Sequence, residues 1–274
     1  MEERAKEMQE QEKRIKTRMA KIKYKLAILS GKGGVGKSTI TSNLAIALAR
    51  KGYKVGVLDV DIHGPSIPKI LGIRGRELAT GPPGIFPAKG ALDIRVISMD
   101  FLLPDDETPV ILRGPMKTGV IRQFLSDVVW GDLDFLLIDL PPGTGDEPLS
   151  IMQLIPDIDG ILMITAPSEV SQIVVKRAIG FTRELHVPLV GIVENMAKFT
   201  CPKCGTEFDI FGTDGGQKIS DKLNVPFLGK IPIDQRICED SDKGTPFVIE
   251  HTDTPAAKAF VQIVDKIEEF LKQR

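Results

Sequence analysis

The sequence predicts an α/β fold, a doubly wound and mainly parallel sheet, and three observations predict it. From Lys25 onward short apolar runs recur, several of them apolar on consecutive residues, as strands covered on both faces are. Longer helical patterns lie between many of these runs, and such alternation gives parallel strands joined by right-handed crossovers. The first run is followed at once by a glycine-rich loop that opens a helix.

The elements follow in order. Residues 1–23, MEERAKEMQEQEKRIKTRMAKIK, are roughly half charged with no Gly or Pro, so they read as a solvated leader helix outside the main core. Residues 24–274 then form one domain. Its strands are KLAILS (25–30), KVGVLDV (54–60), DIRVISM (93–99), DFLLIDL (134–140), GILMIT (160–165), PLVGIV (188–193) and PFLGKI (226–231). Its main helices cover 37–51, 116–129, 168–185 and 255–272. Gly- and Pro-rich residues 72–92 and the stretch 196–217 are irregular insertions. The last helix places Phe260, Ile263, Val264, Ile267 and Leu271 at helical spacing; its mixed charges favour core packing over a membrane-binding face.

Bulk composition excludes several classes. A net charge of −1 and a pI near 6.4 give no global field toward nucleic acid or acidic lipid, so neither is expected as a partner. No apolar run approaches the ~20 residues of a membrane span, and no secretory signal is visible. The expected setting is cytoplasmic, with reduced thiols, and three cysteines suggest no disulfide framework.

The loop carries the first chemistry. Gly31, Lys32, Gly33, Gly34, Val35, Gly36, Lys37 and Ser38 match G-x-x-x-x-G-K-[ST] at every fixed position, in strand–loop–helix context. The glycines turn backbone N–H groups toward phosphate oxygens, and the helix N-terminus adds positive potential. Lys37 neutralises β/γ-phosphate charge, and Ser38 offers a hydroxyl to Mg²⁺. Asp59 and Asp61 end the second strand where such sheets bind ligands, although either could instead cap the following turn. Asp139 ends another buried strand in the position of a residue holding the Mg²⁺ shell. Pro-Pro-Gly-Thr-Gly follows it, with Gly143 and Gly145 giving the freedom a switch loop needs; Asp146 is a weaker candidate there.

Lys32 is the unusual member. A second lysine so early resembles the deviant Walker A loop, KGGxGK[ST], of the nitrogenase iron protein, MinD and ParA class of P-loop NTPases. The resemblance implies a nucleotide-dependent homodimer in which Lys32 reaches the partner's phosphates and Asp61 positions the attacking water. It also makes Asn195, at the end of GIVENMA, an adenine contact flanked by the Pro232–Asp234 loop; from the residues alone Asn195 is a polar strand end that could equally cap.

FTCPKCGTEF holds Cys201 and Cys204. A lone CxxC reads as a redox pair, as two unligated thiols, or as half of a metal site completed by symmetry. Glycine directly after Cys204 makes a poor helix start and disfavours the redox pair. If two subunits meet about a two-fold axis, four thiolates surround one centre, suiting Zn²⁺ or a [4Fe–4S] cluster. GKGGVGKST, DVDIHGPSIPKILG, ILRGPMKTGVI, DLPPGTGDEPLS, VENMAKFTCPKCG and FGTDGGQKI together resemble the Mrp/ApbC/Nbp35 family over about residues 24–273. That resemblance implies an iron–sulfur cluster scaffold and carrier with slow ATPase activity. It makes Cys201 and Cys204 the cluster ligands, Lys32 to Thr39 the ATP loop, and apo iron–sulfur proteins the acceptors. The additional N-terminal domain and N-terminal four-cysteine motif of some relatives are not seen, so a second cluster is not expected. Competing readings are a partitioning or positioning ATPase like ParA or MinD, a dimer stapled by zinc, and an electron-transfer reductase. Cys238 has no partner at ligand spacing and reads as a buried or incidental thiol, and His63, His186 and His251 do not cluster and read as structural.

Overall fold

The computed structural model describes residues 2–62, 64–102, 114–143 and 145–274. His63, Thr144 and residues 111–113 of ILRGPMKTGVI lie outside the described residues. The chain begins with α1 (Glu2–Met19), β1 (Ile22–Ser30), α2 (Lys37–Arg50), β2 (Val55–Asp59) and the short α3 (Ile67–Ile70). A small hairpin of β3 (Thr80–Gly81) and β4 (Gly84–Ile85) precedes β5 (Ala88–Lys89) and β6 (Arg95–Ser98). Next come α4 (Gly114–Asp127), β7 (Leu133–Asp139), α5 (Asp146–Leu154), β8 (Gly160–Thr165), α6 (Glu169–Glu184) and β9 (Leu189–Glu194). A second hairpin, β10 (Phe199–Thr200) and β11 (Glu207–Phe208), leads to α7 (Gly215–Leu223) and β12 (Phe227–Lys230). Helices α8 (Gln235–Lys243), α9 (Phe247–Glu250) and α10 (Pro255–Lys272) complete the chain.

Eight strands form one sheet in the order β12-β9-β8-β1-β7-β2-β6-β5. All neighbours are parallel except β5, which runs antiparallel on the edge beside β6. That edge strand comes from the Gly- and Pro-rich stretch, so the insertion partly joins the sheet. Alternation along β1 shows how the sheet is covered on both sides. Leu26 and Ile28 face α2 and α10, packing with Leu44, Phe260 and Ile263. Ala27 and Leu29 face the opposite layer, with Phe124, Trp130 and Val175. This is the two-residue period of a strand serving two cores. Helix α10 starts at Pro255 behind the Thr254 side chain, which accepts from the Ala257 N–H at 3.1 Å. It buries Phe260, Ile263, Val264, Ile267 and Leu271 in the core, as its spacing predicts. Among the described residues no helix is long and apolar enough to cross a membrane.

The leader helix departs from expectation. Its last turn is not outside the core: Ile15 and Met19 are 4% and 1% exposed and pack in the cluster that holds Ile121 and Phe124 of α4. Strand β1 also starts at Ile22, earlier than the sequence suggests. Ile15 and Met19 make an apolar stripe of little more than one turn, too short to show against the surrounding charge. Arg14 adds an ion pair to Asp127 at 3.7 Å, and Arg18 donates to the Pro83 carbonyl.

Strand register decides where the chemistry can sit. Asp139 pairs with Ile28 on one side and Asp59 on the other, and Asp59 pairs with Ser98. Glu194 pairs with Thr165 and with Lys230. Polar groups from successive strands therefore line up along the carboxyl edge of the sheet, where open α/β sheets bind ligands.

Candidate nucleotide and metal sites

The loop between β1 and α2 is shaped by its glycines. Gly34 and Gly36 have φ of 78° and 81°, left-handed conformations that L side chains resist. At Gly36 a Cβ would also lie 2.4 Å from Asn195 Nδ2. Asn195 occupies that space itself and donates through Nδ2 to the Val35 carbonyl at 2.9 Å. The strand end after β9 thus braces the loop directly. Val35 is buried, while Lys32, Gly33 and Gly34 are exposed at the mouth and Gly31 is half-buried. The Ser30 hydroxyl donates to the Lys32 carbonyl at 3.2 Å.

Helix α2 presents Lys37, Ser38 and Thr41 to Asp139. Lys37 Nζ lies 2.7 Å from Asp139 Oδ2 and 3.6 Å from Asp61 Oδ2. The Ser38 hydroxyl donates to Asp139 Oδ2 at 2.6 Å, and the Thr41 hydroxyl to Asp139 Oδ1 at 2.7 Å. Asp139 is fully buried and Lys37 is 6% exposed, so these contacts are charge-assisted and shielded from water. Thr39 is half-buried, and its carbonyl accepts from Asn43 Nδ2 at 2.9 Å. A hydroxyl and a carboxylate in contact are hard oxygen donors, and Ser38 with Asp139 fits a Mg²⁺ site.

Asp59 occupies the next strand end. One oxygen accepts from the Ser98 hydroxyl at 2.8 Å, the other from the Asp61 N–H at 3.2 Å. Burial, reinforced by the neighbouring charge of Asp139, pushes its carboxyl up to about 8 against those two hydrogen bonds. Asp59 therefore both turns the chain after β2 and directs Asp61 toward Lys37. Thr41 and Ser98 escaped the sequence reading. Thr41 could have been found, since it stands one helical turn from Lys37 on the same face. Ser98 becomes visible only through strand register.

At the far end of the carboxyl edge lies a cavity of about 390 Å³. Glu194, Ala197, Lys198, Asp209, Asp214 and Pro232 contribute to its walls. Pro232 is thus at this cavity, while the Asn195 side chain is engaged with the Val35 carbonyl. Glu194 is buried; desolvation lifts its carboxyl above the ordinary range, against the Gly216 N–H that donates to it at 2.5 Å. Asp234 caps α8, accepting from the Arg236 N–H at 3.1 Å, and forms an ion pair with the Arg236 guanidinium.

The cysteines stand apart from the phosphate loop, on the β10–β11 hairpin. Cys201 is half-buried and Cys204 exposed. The Cys201 N–H donates to the Thr206 carbonyl and the Gly205 N–H to the Cys201 carbonyl, both at 2.9 Å. Gly205 takes φ 70° to close the turn. Hydrogen bonding, first from the Thr206 hydroxyl and then from backbone and Cys201, draws the Cys204 thiol below its usual range. Among the described residues no group of three or more His, Cys, Asp or Glu could hold a metal within one chain. Two adjacent soft donors per chain fit half of a four-thiolate centre. Cys238 is exposed on α8, and His186 is exposed at the end of α6. His251 Nε2 lies 3.0 Å from Asp240 Oδ2.

Comparison with known proteins identifies the family and the fold. The family profile described as ParA, NUBPL iron-transfer P-loop NTPase, matches residues 21–268. The iron–sulfur cluster carrier protein of Methanocaldococcus jannaschii is 56% identical over 260 residues, covering 95% of this chain and 89% of the relative. The protein of the same description from Saccharolobus solfataricus is 51% identical, covering 93% and 86%. Among solved structures, the nucleotide-binding protein of Archaeoglobus fulgidus in complex with ADP, with cobalt found in it, superposes with a TM-score of 0.79. It is 40% identical over 90% of this chain and 95% of that one. MinD of Aquifex aeolicus, 22% identical with a TM-score of 0.66 over 90% of this chain and 97% of its own, shares the fold. By profile, relatives and fold together, the chain belongs to the NUBPL iron-transfer P-loop NTPases, the Mrp/ApbC/Nbp35 group that its motifs resemble.

Proposed function

We propose that this protein binds and slowly hydrolyses Mg²⁺–ATP, and assembles a labile [4Fe–4S] cluster between two copies of itself for delivery to apo-proteins. The observation that carries the reading is the side-by-side presentation of Cys201 and Cys204 on a hairpin reached directly from the strand end that braces the phosphate loop. The carrier relatives and the ADP-bound neighbour support it.

In this reading the loop from Gly31 to Thr39 wraps the phosphates with its N–H groups. Lys37 moves from carboxylates to phosphate oxygens, and Ser38 with Asp139 would hold Mg²⁺, which would supply positive charge to offset that of the phosphates. Asp61 orients the attacking water, and Lys32, exposed at the mouth, reaches the partner's nucleotide. Asn195 and Pro232 border the adenine. The cluster is cargo: two thiolates from each chain hold it, so separating the copies weakens all four bonds together.

The test is anaerobic reconstitution with iron and sulfide, followed by transfer to an apo-acceptor. The reading expects a broad visible band, about four irons per dimer and acceptor activation. Cys201→Ala should lose the iron and keep ATP binding. Unchanged iron in that variant, or a colourless dimer that refuses iron and retains zinc, would overturn the assignment and leave the zinc staple.

A further inference from the structure

Thr206 lies just beyond the CPKCG turn and makes no contact with the phosphate loop in the hydrogen-bond network. It nevertheless touches both cysteines. Its carbonyl accepts from the Cys201 N–H at 2.9 Å, and its hydroxyl oxygen lies 3.2 Å from Cys204 Sγ. The turn it closes is stiff. Phe199 and Phe208 stack across the hairpin with ring centroids 6.4 Å apart, and Lys198 pairs with Glu207 at 2.6 Å. The Gly205 N–H returns to the Cys201 carbonyl, so Thr206 is held from both directions along the chain.

We propose that Thr206 is a positioning residue for the cysteine pair, fixing Cys201 through its carbonyl and Cys204 through its hydroxyl so that both sulfurs face one metal centre. The inference deepens the carrier reading and rests on it. With the thiol protonated, the hydroxyl oxygen accepts from S–H. Once the sulfur is a thiolate ligand the hydroxyl rotates and donates to it, an option that valine, its near-isostere, does not have. Groups that hydrogen-bond a metal ligand orient it, and their removal costs about 10–100-fold in metal affinity.

Anaerobic Co²⁺ titration of the full chain tests this, using thiolate-to-cobalt charge-transfer absorption as the readout. Thr206→Val should weaken Co²⁺ binding about tenfold or more, while Thr206→Ser should stay within about twofold of the parent. An unchanged thermal melt for Thr206→Val separates lost positioning from lost folding. Equal affinity in Thr206→Val and the parent would overturn the role of Thr206 and leave the metal site standing. Equal loss in Thr206→Val and Thr206→Ser would overturn it too, since the hydroxyl would then not be the active group. Absence of the charge-transfer band in the parent would overturn the underlying metal reading itself.

Discussion

Asp139 is the acceptor on which the phosphate site converges, and Asp139→Asn tests that arrangement most directly. The substitution keeps side-chain size and removes one charge. Lys37, 6% exposed, loses its 2.7 Å partner, and Ser38 and Thr41 lose a charged acceptor. Breaking a buried ion pair from one side costs about 3–5 kcal/mol. Two features reduce that here. Asp61 Oδ2 remains 3.6 Å from Lys37, and Asp59 is relieved of a neighbouring negative charge. The net loss should therefore be about 2–3 kcal/mol, measured by urea unfolding without nucleotide or Mg²⁺. Asp61→Asn alone should cost about 1 kcal/mol, because Asp139 still holds the lysine. The double variant should lose more than the two single losses combined, since Lys37 then has neither carboxylate. A loss below about 0.5 kcal/mol for Asp139→Asn, or strict additivity in the pair, would refute the convergence on Lys37.

Three further outcomes follow from other parts of the molecule. Asp59, pushed up to about 8 from 3.8, keeps its proton in the fold while the unfolded chain has released it. Its contribution is thus fully present below 3.8 and is lost as pH rises toward 8, by up to about 1.4 kcal/mol per pH unit. Asp59→Asn should flatten that slope in metal-free unfolding curves; an unaltered slope would assign it to other groups. Ile15→Ala should destabilise the whole domain by about 2 kcal/mol, as removal of a buried side chain does, with loss of one cooperative transition rather than of helix α1 alone. A parental unfolding midpoint would place α1 back in solvent. Gly36→Ala forces a left-handed alanine, at about 1–2 kcal/mol, and drives its Cβ into Asn195. ATP affinity should fall by at least about tenfold in a fluorescent-nucleotide titration, and parental affinity would refute the close contact.

Much of this was legible because buried parallel strands and phosphate loops leave local signatures. Strands β1, β7 and β8 announce themselves as continuous apolar runs, and Gly31 to Ser38 announces its turn by glycine spacing. What escaped depends on long-range register or on short stripes. Ser98 matters because β6 lies beside β2 in register with Asp59, and no local pattern specifies that neighbour. Ile15 and Met19 are two apolar residues in a charged helix, and only the position of α4 turns them into core. The role of Asn195 shows the same limit. From the residues alone it is a polar strand end, and the family resemblance makes it an adenine contact; its bond to the Val35 carbonyl shows only once the β9 edge and the phosphate loop come together. Thr206 has no signature in the sequence, because a hydroxyl two residues beyond a cysteine carries meaning only once the hairpin is closed.

The nucleotide end and the cysteine end are joined by backbone that is hydrogen-bonded along most of its length. Asn195 N–H donates to the Thr165 carbonyl at 2.8 Å, and Ala197 N–H to the Ile231 carbonyl at 3.1 Å. Ile233 N–H donates to the Lys198 carbonyl at 2.7 Å, and Ile231 N–H to the Glu194 carbonyl at 2.8 Å. The segment from Glu194 to the hairpin is therefore zipped against the exit of β12, and it is stiff where an inserted loop would ordinarily be loose. The cavity of about 390 Å³ opens between these same strands, with Lys198 and Asp209 from the hairpin side and Pro232 from the β12 exit. A ligand that fills it touches the base of the cysteine hairpin and the strand end bracing the phosphate loop together. Sheet register and a short zipped segment thus join the strand end that braces the phosphate loop to the hairpin that carries Cys201 and Cys204.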